Sequence, residues 1–297
     1  MIKDRLFIKF SLAKIILFMI AITTFSEFFL RKYIINNDIV YQNSKLFKKK
    51  KSKNTIWGDS ASMQSINFLK QFNNFSGPSD NYQEIEKKIK NYYSNFSEGK
   101  VILHLSLNAF AKYRDRGIRE EDLSFYLSNR EPNLFISQKR FQERLFRYYG
   151  SFIKNNFNVK HQFIINSDGS AAEKRIFVPP KNIKINPNNK YYPKLEFKYD
   201  ENYKALLRIT DYLLKKDIKL CFITGPIQVD YREKRLNMNK FKKVRKFYND
   251  FALNKKIKYY DFVEYELPLK YFADEIHLNN EGSKFFTDLI KNTCKFS

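Results

Sequence analysis

The sequence predicts an α/β fold, a three-layer α/β/α sandwich around a parallel sheet, with one transmembrane helix at the N-terminus. Three observations predict it. Beyond the basic N-terminal region, short apolar runs alternate with segments of helical periodicity. The run 101–107, VILHLSL, is continuously apolar and follows Gly99, which is typical of a parallel strand buried on both faces. The third is the stretch 10–30, which is apolar except for Lys14 and Glu27.

The stretch 10–30 is long enough to cross a membrane. A helix rises ~1.5 Å per residue, so it would span a hydrocarbon core of about 30 Å. Basic residues precede it, as in a secretory signal peptide, but the residues that follow, Phe28 to Lys32, are bulky or basic and offer no small-residue cleavage site. We therefore predict an uncleaved anchor over 1–32. A signal peptide and a buried core helix are the alternatives.

Residues 33–53 are predicted to be a basic linker whose lysines could lie near lipid headgroups. Counted as positive charge beside the anchor, they would place the following domain in the cytoplasm. Long domains can cross a membrane regardless of such charges, so the lysine count leaves the sidedness open.

The domain predicted for 54–297 contains the alternating elements. Its strands are predicted at 55–57, 72–75, 101–107, 218–226 and 257–262, and its helices at 61–71, 82–96, 203–216, 241–253 and 281–291. The segment 110–200 breaks this alternation with a predicted helix at 138–149, a hairpin at 163–177 and a Pro- and Asn-containing stretch at 178–193. We interpret it as an insertion that acts as a lid and influences substrate choice.

Composition excludes several classes of protein. The net charge is +24, but 43% of the residues are hydrophobic, so the chain is neither disordered nor a disulfide miniprotein. It has no helix-turn-helix, zinc-finger or RNP pattern, and a nucleic-acid partner is not expected. The two cysteines, Cys221 and Cys294, have no metal-ligand spacing and give no sign of a disulfide framework. No metal or cofactor is predicted.

Ser60 follows the first predicted strand. The carboxyl ends of parallel strands meet at one edge of a sheet, where sites form. In the tripeptide Gly58-Asp59-Ser60 the glycine permits a tight turn, and the serine stands at the start of a helix. A hydroxyl there is a candidate nucleophile; the alternative is that Asp59 or Ser60 merely caps the helix.

His277 is the histidine with an acid at a useful interval, Asp274, three residues earlier. The Asp274 carboxylate could accept a hydrogen bond from one ring nitrogen, so that the other takes a proton from a serine. His104 lies within a strand and His161 near the start of the hairpin, where structural roles are expected.

Three donors are candidates for an oxyanion hole. These are the Ser60 N–H, the Gly77 N–H after the second strand, and the Asn108 side-chain amide after the third. Plain turn and strand-end roles for Gly77 and Asn108 are the alternatives.

These motifs resemble those of the SGNH, or GDSL-type, hydrolase superfamily. The family's four blocks match, in order, Gly58-Asp59-Ser60, Gly77, Asn108, and the Asp274-x-x-His277 motif, over about 54–297. In the third block Ser106 and Ala109 replace the family's Gly and Asp. The resemblance implies a flavodoxin-like sandwich with a Ser60–His277–Asp274 triad.

Within the superfamily the chain is similar to membrane-anchored members of cell-envelope modification systems, such as those of teichoic-acid D-alanylation and alginate O-acetylation. This likeness rests on four features: the N-terminal anchor, the short interval from Ser60 to Gly77, the strand end Thr224-Gly225-Pro226 and the motif 271–282. It implies a serine esterase or O-acyltransferase with an extracytoplasmic catalytic domain. Its partners would be an acyl-ester substrate or an acyl-donor membrane protein, and an envelope polysaccharide. The alternative is a non-catalytic polysaccharide-binding or assembly subunit that binds an anionic glycan.

Overall fold

A computed structural model has the predicted fold class, a mixed α/β fold with a five-stranded parallel sheet, flanking helices and an apolar N-terminal helix. The structure describes residues 2–50, 52–67, 69–128, 131–154, 163–173, 175–179, 190, 192–194, 196–234 and 236–294.

The elements are numbered along the chain. The strands are β1 (Asn54–Trp57), β2 (Asn73–Asn74), β3 (Gly99–His104), β4 (Phe163–Ile165), β5 (Ala171–Glu173), β6 (Ile218–Thr224) and β7 (Lys258–Asp261). The helices are α1 (Ile2–Phe29), α2 (Ile39–Lys49), α3 (Ser60–Ser65), α4 (Tyr82–Tyr92), α5 (Glu120–Leu127), α6 (Lys139–Lys154), α7 (Glu201–Lys215), α8 (Val229–Lys234), α9 (Lys242–Asn254) and α10 (Asn280–Thr293).

The main sheet has the strand order β2-β1-β3-β6-β7, with every neighbouring pair parallel. The register pairs Thr55 with Val101 and Val101 with Leu220. Because all five strands run the same way, their carboxyl ends share one edge, and the loops after β1, β3 and β6 meet there.

The inner strands β1, β3 and β6 are buried on both faces over most of their length, which explains their apolar residues. Successive residues of a strand point to opposite faces, so Trp57 packs into an aromatic-rich core together with Phe75 and Tyr92, while Ile56 packs into a second core together with Phe286. Fully burying one such side chain stabilises the fold by about 1.5–3 kcal/mol. The two cores give the three layers that the sequence predicts.

The first helix of the domain is shorter than predicted. The sequence predicts a helix over 61–71, but α3 ends at Ser65 and Ile66 is extended. The next residue explains this, because the Asn67 N–H donates to Thr287 Oγ1 and its side-chain amide donates to Ser283 Oγ. Bonds to α10 therefore replace the next turn of α3.

The segment 33–53, expected to be a basic linker, contains the amphipathic helix α2. Apolar side chains on one face, including Ile39, Tyr41 and Phe47, are buried in the aromatic-rich core. Asp38 caps the helix by accepting from the Tyr41 N–H, and its buried carboxylate also pairs with Arg140. The apolar residues between the lysines of this segment therefore pack against the domain.

From Leu12 onward helix α1 is predominantly apolar, with Lys14 and Glu27 as its charged residues. Over Leu12–Asn37 the described chain has one helix long and apolar enough to cross a membrane. Its large side chains from Leu12 to Phe28 are mostly exposed, but Phe29 and Leu30 are buried against the domain. The Glu27 carboxylate accepts from the backbone N–H groups of Phe135 and Ile136 in the insertion. The helix is therefore held directly by the domain.

The insertion contains α5, α6 and the antiparallel hairpin β4–β5, whose turn contains Gly169 at φ +89°. Much of the predicted segment 178–193 lies outside the described residues, as does His161.

Cys221 of β6 and Cys294 at the end of α10 form a disulfide, with their Cα atoms 5.9 Å apart. The sequence gives no sign of this bond because 73 positions separate the two cysteines, and only packing of α10 on the sheet joins them.

Candidate active site

Ser60 follows the carboxyl end of β1 and is the first residue of helix α3. Asp59 caps this helix through a 3.0 Å hydrogen bond from the Ala61 N–H. Gly58 is required by close packing, since a Cβ there would lie 2.6 Å from Ser62 Cβ and 2.8 Å from His104 Cβ. The tripeptide thus brings the Ser60 hydroxyl to the sheet edge.

The structure brings Ser60, His277 and Asp274 together. His277 Nε2 lies 2.9 Å from Ser60 Oγ, and His277 Nδ1 lies 2.8 Å from Asp274 Oδ2. Asp274 Oδ1 also accepts the backbone N–H groups of Ile276 and His277, which fixes the carboxylate under the ring. In this arrangement Nδ1 carries the proton that it donates to Asp274, and Nε2 can accept the proton of Ser60.

Opposing effects set the protonation of the pair. Burial lowers the pKa of His277, but the hydrogen bond and charge of Asp274, with smaller contributions from Asp59 and Glu173, raise it above its ordinary value. Burial raises the pKa of Asp274. The hydrogen bonds that it accepts from the His277 ring and from two backbone N–H groups, together with the charge of His277, outweigh burial and hold this pKa below its usual range. The carboxylate is therefore ionised wherever His277 is neutral.

The predicted oxyanion donors differ in availability. The Ser60 N–H is the first of α3, so it has no acceptor within the helix. The Gly77 N–H instead donates to the Gly58 carbonyl at 3.2 Å, and a Cβ at Gly77 would lie 2.5 Å from the Asp80 carboxylate. In this structure Gly77 therefore serves the turn beside β1, and its predicted oxyanion role is not supported.

Asn108 lines the same cavity as Asp59 and Ala61, the two neighbours of Ser60 in the chain, and its amide is oriented by two side chains. Its Oδ1 accepts from Arg114 Nη2 at 3.2 Å and from Ser106 Oγ. With the oxygen engaged in this way, the amide Nδ2 is the end left for a substrate oxygen. Ser106, which replaces the family's Gly, thus helps to orient the amide.

A buried ion pair beneath the nucleophile is not predicted by the sequence. Arg114 Nη2 lies 2.6 Å from Asp59 Oδ2, and both side chains are about 95% buried. Burial raises the pKa of Asp59, but the charge of Arg114, together with smaller effects of His104, Ser106 and His277, lowers it below its usual range, so the carboxylate stays ionised. No spacing signals this pair, because Arg114 stands in a polar run at the start of the insertion.

His104, for which a structural role is expected, lies beneath the site. It is buried in β3, where its Nε2 accepts the Gly225 N–H at 3.1 Å. Burial lowers the pKa of His104, so the ring is neutral.

A small apolar cavity is bordered by residues that flank the nucleophile in the chain. It measures about 60 Å³, and its rim includes Asp59, Ala61 and Asn108. Its walls are mostly apolar and are formed by Leu107, Ile227, Tyr231, Leu236, Phe241 and Ile276. The cavity is therefore bordered by the neighbours of both Ser60 and His277.

Among the described residues, no group of three His, Cys, Asp or Glu side chains could hold a metal ion.

In comparisons with known proteins, no family model matches the chain, and no curated protein matches it. One similar solved structure is a "putative acylhydrolase" from Bacteroides fragilis NCTC 9343. The two chains are 11% identical over 84% of this chain and 92% of that one, with a TM-score of 0.43. A likeness this distant carries no argument about activity, which has to come from the site itself.

Proposed function

We propose that this chain is a serine esterase or O-acyltransferase of the SGNH type. The observation that carries the proposal is the continuous hydrogen-bonded series from Ser60 Oγ through His277 to Asp274. A serine hydroxyl is a poor nucleophile until a base removes its proton, and this series provides that base. General-base assistance of this kind contributes about 10²–10⁴-fold in rate.

The proposed reaction has two steps. Ser60 Oγ forms a bond to the ester carbonyl carbon while its proton passes to His277 Nε2, and the Ser60 N–H and Asn108 amide stabilise the oxyanion. The bond to the leaving alcohol or thiol then breaks, and that group takes the proton from Nε2. Water or a sugar hydroxyl resolves the acyl-Ser60 by the reverse sequence.

The small cavity bordered by Asp59 and Ala61 suggests the size of acyl group that the enzyme would accept. A mostly apolar space of about 60 Å³ suits a short acyl chain and offers little to a sugar ring. We propose that the acyl group enters this cavity, while the acceptor approaches from the open side.

Two further features support the proposal of an anchored, extracytoplasmic enzyme that modifies an envelope polysaccharide. Helix α1 is apolar and long enough to cross a membrane. A disulfide such as Cys221–Cys294 is typical of oxidising compartments outside the cytoplasm. The acyl donor would then be an ester substrate or an acyl-carrying membrane protein.

The test is hydrolysis of p-nitrophenyl acetate by the detergent-solubilised full chain. Ser60→Ala and His277→Ala should abolish the enzymatic rate, whereas Ser94→Ala, an exposed serine in the turn after α4, should retain it. Wild-type protein that is folded yet no faster than Ser60→Ala would contradict the proposal. The non-catalytic polysaccharide-binding subunit would then be the better account.

A further inference from the structure

Strand β5 of the insertion lies against the proposed active site. It packs on α3, which begins at Ser60, and on α10, which follows His277. Its last residue, Glu173, is 2% exposed. A few residues later the Phe177 N–H donates to the Phe272 carbonyl at 2.8 Å, so the insertion follows the loop that carries Asp274 and His277.

Arg175 connects this strand to the site. Its Nε lies 3.1 Å from Glu173 Oε1, and its Nη2 lies 3.8 Å from Asp274 Oδ2. The Asp274 oxygen that it approaches is the one bonded to His277 Nδ1 at 2.8 Å. One guanidinium therefore lies between a buried carboxylate of the insertion and the carboxylate that orients the base.

We propose that Glu173 and Arg175 are positioning residues through which the insertion holds the Asp274–His277 pair and balances its charge. This inference rests on the function proposed for Ser60, His277 and Asp274. Arg175 holds Asp274 Oδ2 toward the imidazole, and Glu173 offsets the positive charge that Arg175 adds. The insertion then has a part in catalysis itself, in addition to any role as a lid.

Glu173 and Arg175 should affect the pKa of His277 in opposite directions, because their charges are opposite. The His277 ring is under the electrostatic influence of Asp274 from its own loop, of Asp59 and neutral His104 from the strand ends, and of Glu173 from the insertion. Each of these carboxylates, including the Glu173 carboxylate, raises the pKa of His277. Removing the Glu173 charge should therefore lower the pKa of His277, and removing the Arg175 charge should raise it.

The test is the titration of His277 in the full chain, labelled with ¹⁵N-histidine and solubilised in detergent. The sequence has three histidines, so the spectrum holds three imidazoles, and His277→Gln identifies the signal of interest. The midpoint should move to lower pH in Glu173→Gln and to higher pH in Arg175→Gln. Arg175→Lys should restore the wild-type midpoint. Matched controls are Glu196→Gln and Lys198→Gln, which remove the same charges from exposed positions in the insertion.

The same variants should move the acid limb of kcat/KM for p-nitrophenyl acetate in the same directions. The inference is overturned if Arg175→Gln, a change at a side chain 57% exposed, titrates as Lys198→Gln does. A shift of the same sign in both charge variants would also overturn it. Because the titration needs no turnover, a failure of the proposed function, seen as absence of Ser60-dependent hydrolysis, remains distinguishable from a failure of this inference.

Discussion

At the scale of single residues, the Asp274 carboxylate determines what His277 can do. It holds Nδ1 by a 2.8 Å contact and raises the pKa of the ring against the effect of burial. His277 acts as a base only when neutral, so the rate should rise with pH as the ring loses its proton.

Asp274→Asn should therefore change two properties. Loss of the carboxylate charge should move the acid limb of kcat/KM to lower pH, because the pKa of His277 falls. Loss of the correct tautomer should lower the plateau by about 10²–10⁴-fold. A pH–rate profile measures both effects, with Asp288→Asn, an exposed acid in α10, as the matched control. An acid limb that stays in place would contradict this role for Asp274.

The Asp59–Arg114 pair should be important for stability, because both charges are buried and 2.6 Å apart. Arg114→Gln leaves the Asp59 charge uncompensated and should lower the free energy of unfolding by about 3–5 kcal/mol. Adding Asp59→Asn should recover part of that loss. Denaturant unfolding measures both, with Lys112→Gln, an exposed cation nearby, as control. Equal midpoints for Arg114→Gln and Lys112→Gln would contradict a stabilising pair.

At the scale of elements, sequence reasoning finds what is local and periodic. The inner strands β3 and β6 are apolar because both of their faces are buried. The predicted helices begin within two residues of α3, α4, α6, α7, α9 and α10, whereas the short helices α5 and α8 are not predicted. Helix α3 ends early because Asn67 bonds to α10, a partner more than 200 positions away. No local pattern contains such a contact.

The site was predictable to the same extent. Ser60 stands in a short motif at the end of β1, and Asp274 and His277 stand in another just before α10, so spacing and residue type single them out. Arg114 and Arg175 reach the site only through tertiary packing, and nothing in their own neighbourhood signals it. For Gly77 the turn was identifiable, but the partner of its N–H, the Gly58 carbonyl, was not.

The start of α10 fixes the loop that carries His277. Gly282 lies against Tyr271, and a Cβ there would be 2.1 Å from the Tyr271 carbonyl oxygen. Gly282→Ala should displace this contact, lowering both stability and hydrolysis. Gly150→Ala in α6 is the control, since nothing lies within 4 Å of its Cβ position and alanine favours a helix by up to about 1 kcal/mol. Thermal unfolding and the esterase rate together test this; equal behaviour of the two variants would contradict it.

At the scale of the whole molecule, the N-terminal region and the domain share one core. Phe29, Ile35 and Phe47 are buried there, and Glu27 bonds to the insertion. A fragment 54–297 should therefore lose part of the core and aggregate or melt well below the full chain. A fragment 25–297 keeps these side chains and should remain folded. Circular dichroism melts compare the two; equal stability would contradict a shared core.

The proposed function requires Ser60 to be an activated nucleophile. The most direct measurement is covalent labelling of the full chain with a fluorophosphonate, with the modified residue mapped by peptide mass spectrometry. We expect a single adduct on Ser60 that disappears in Ser60→Ala and His277→Ala and persists in Ser94→Ala. A folded wild-type protein that shows no adduct on Ser60, or an adduct that forms equally well in His277→Ala, would contradict it.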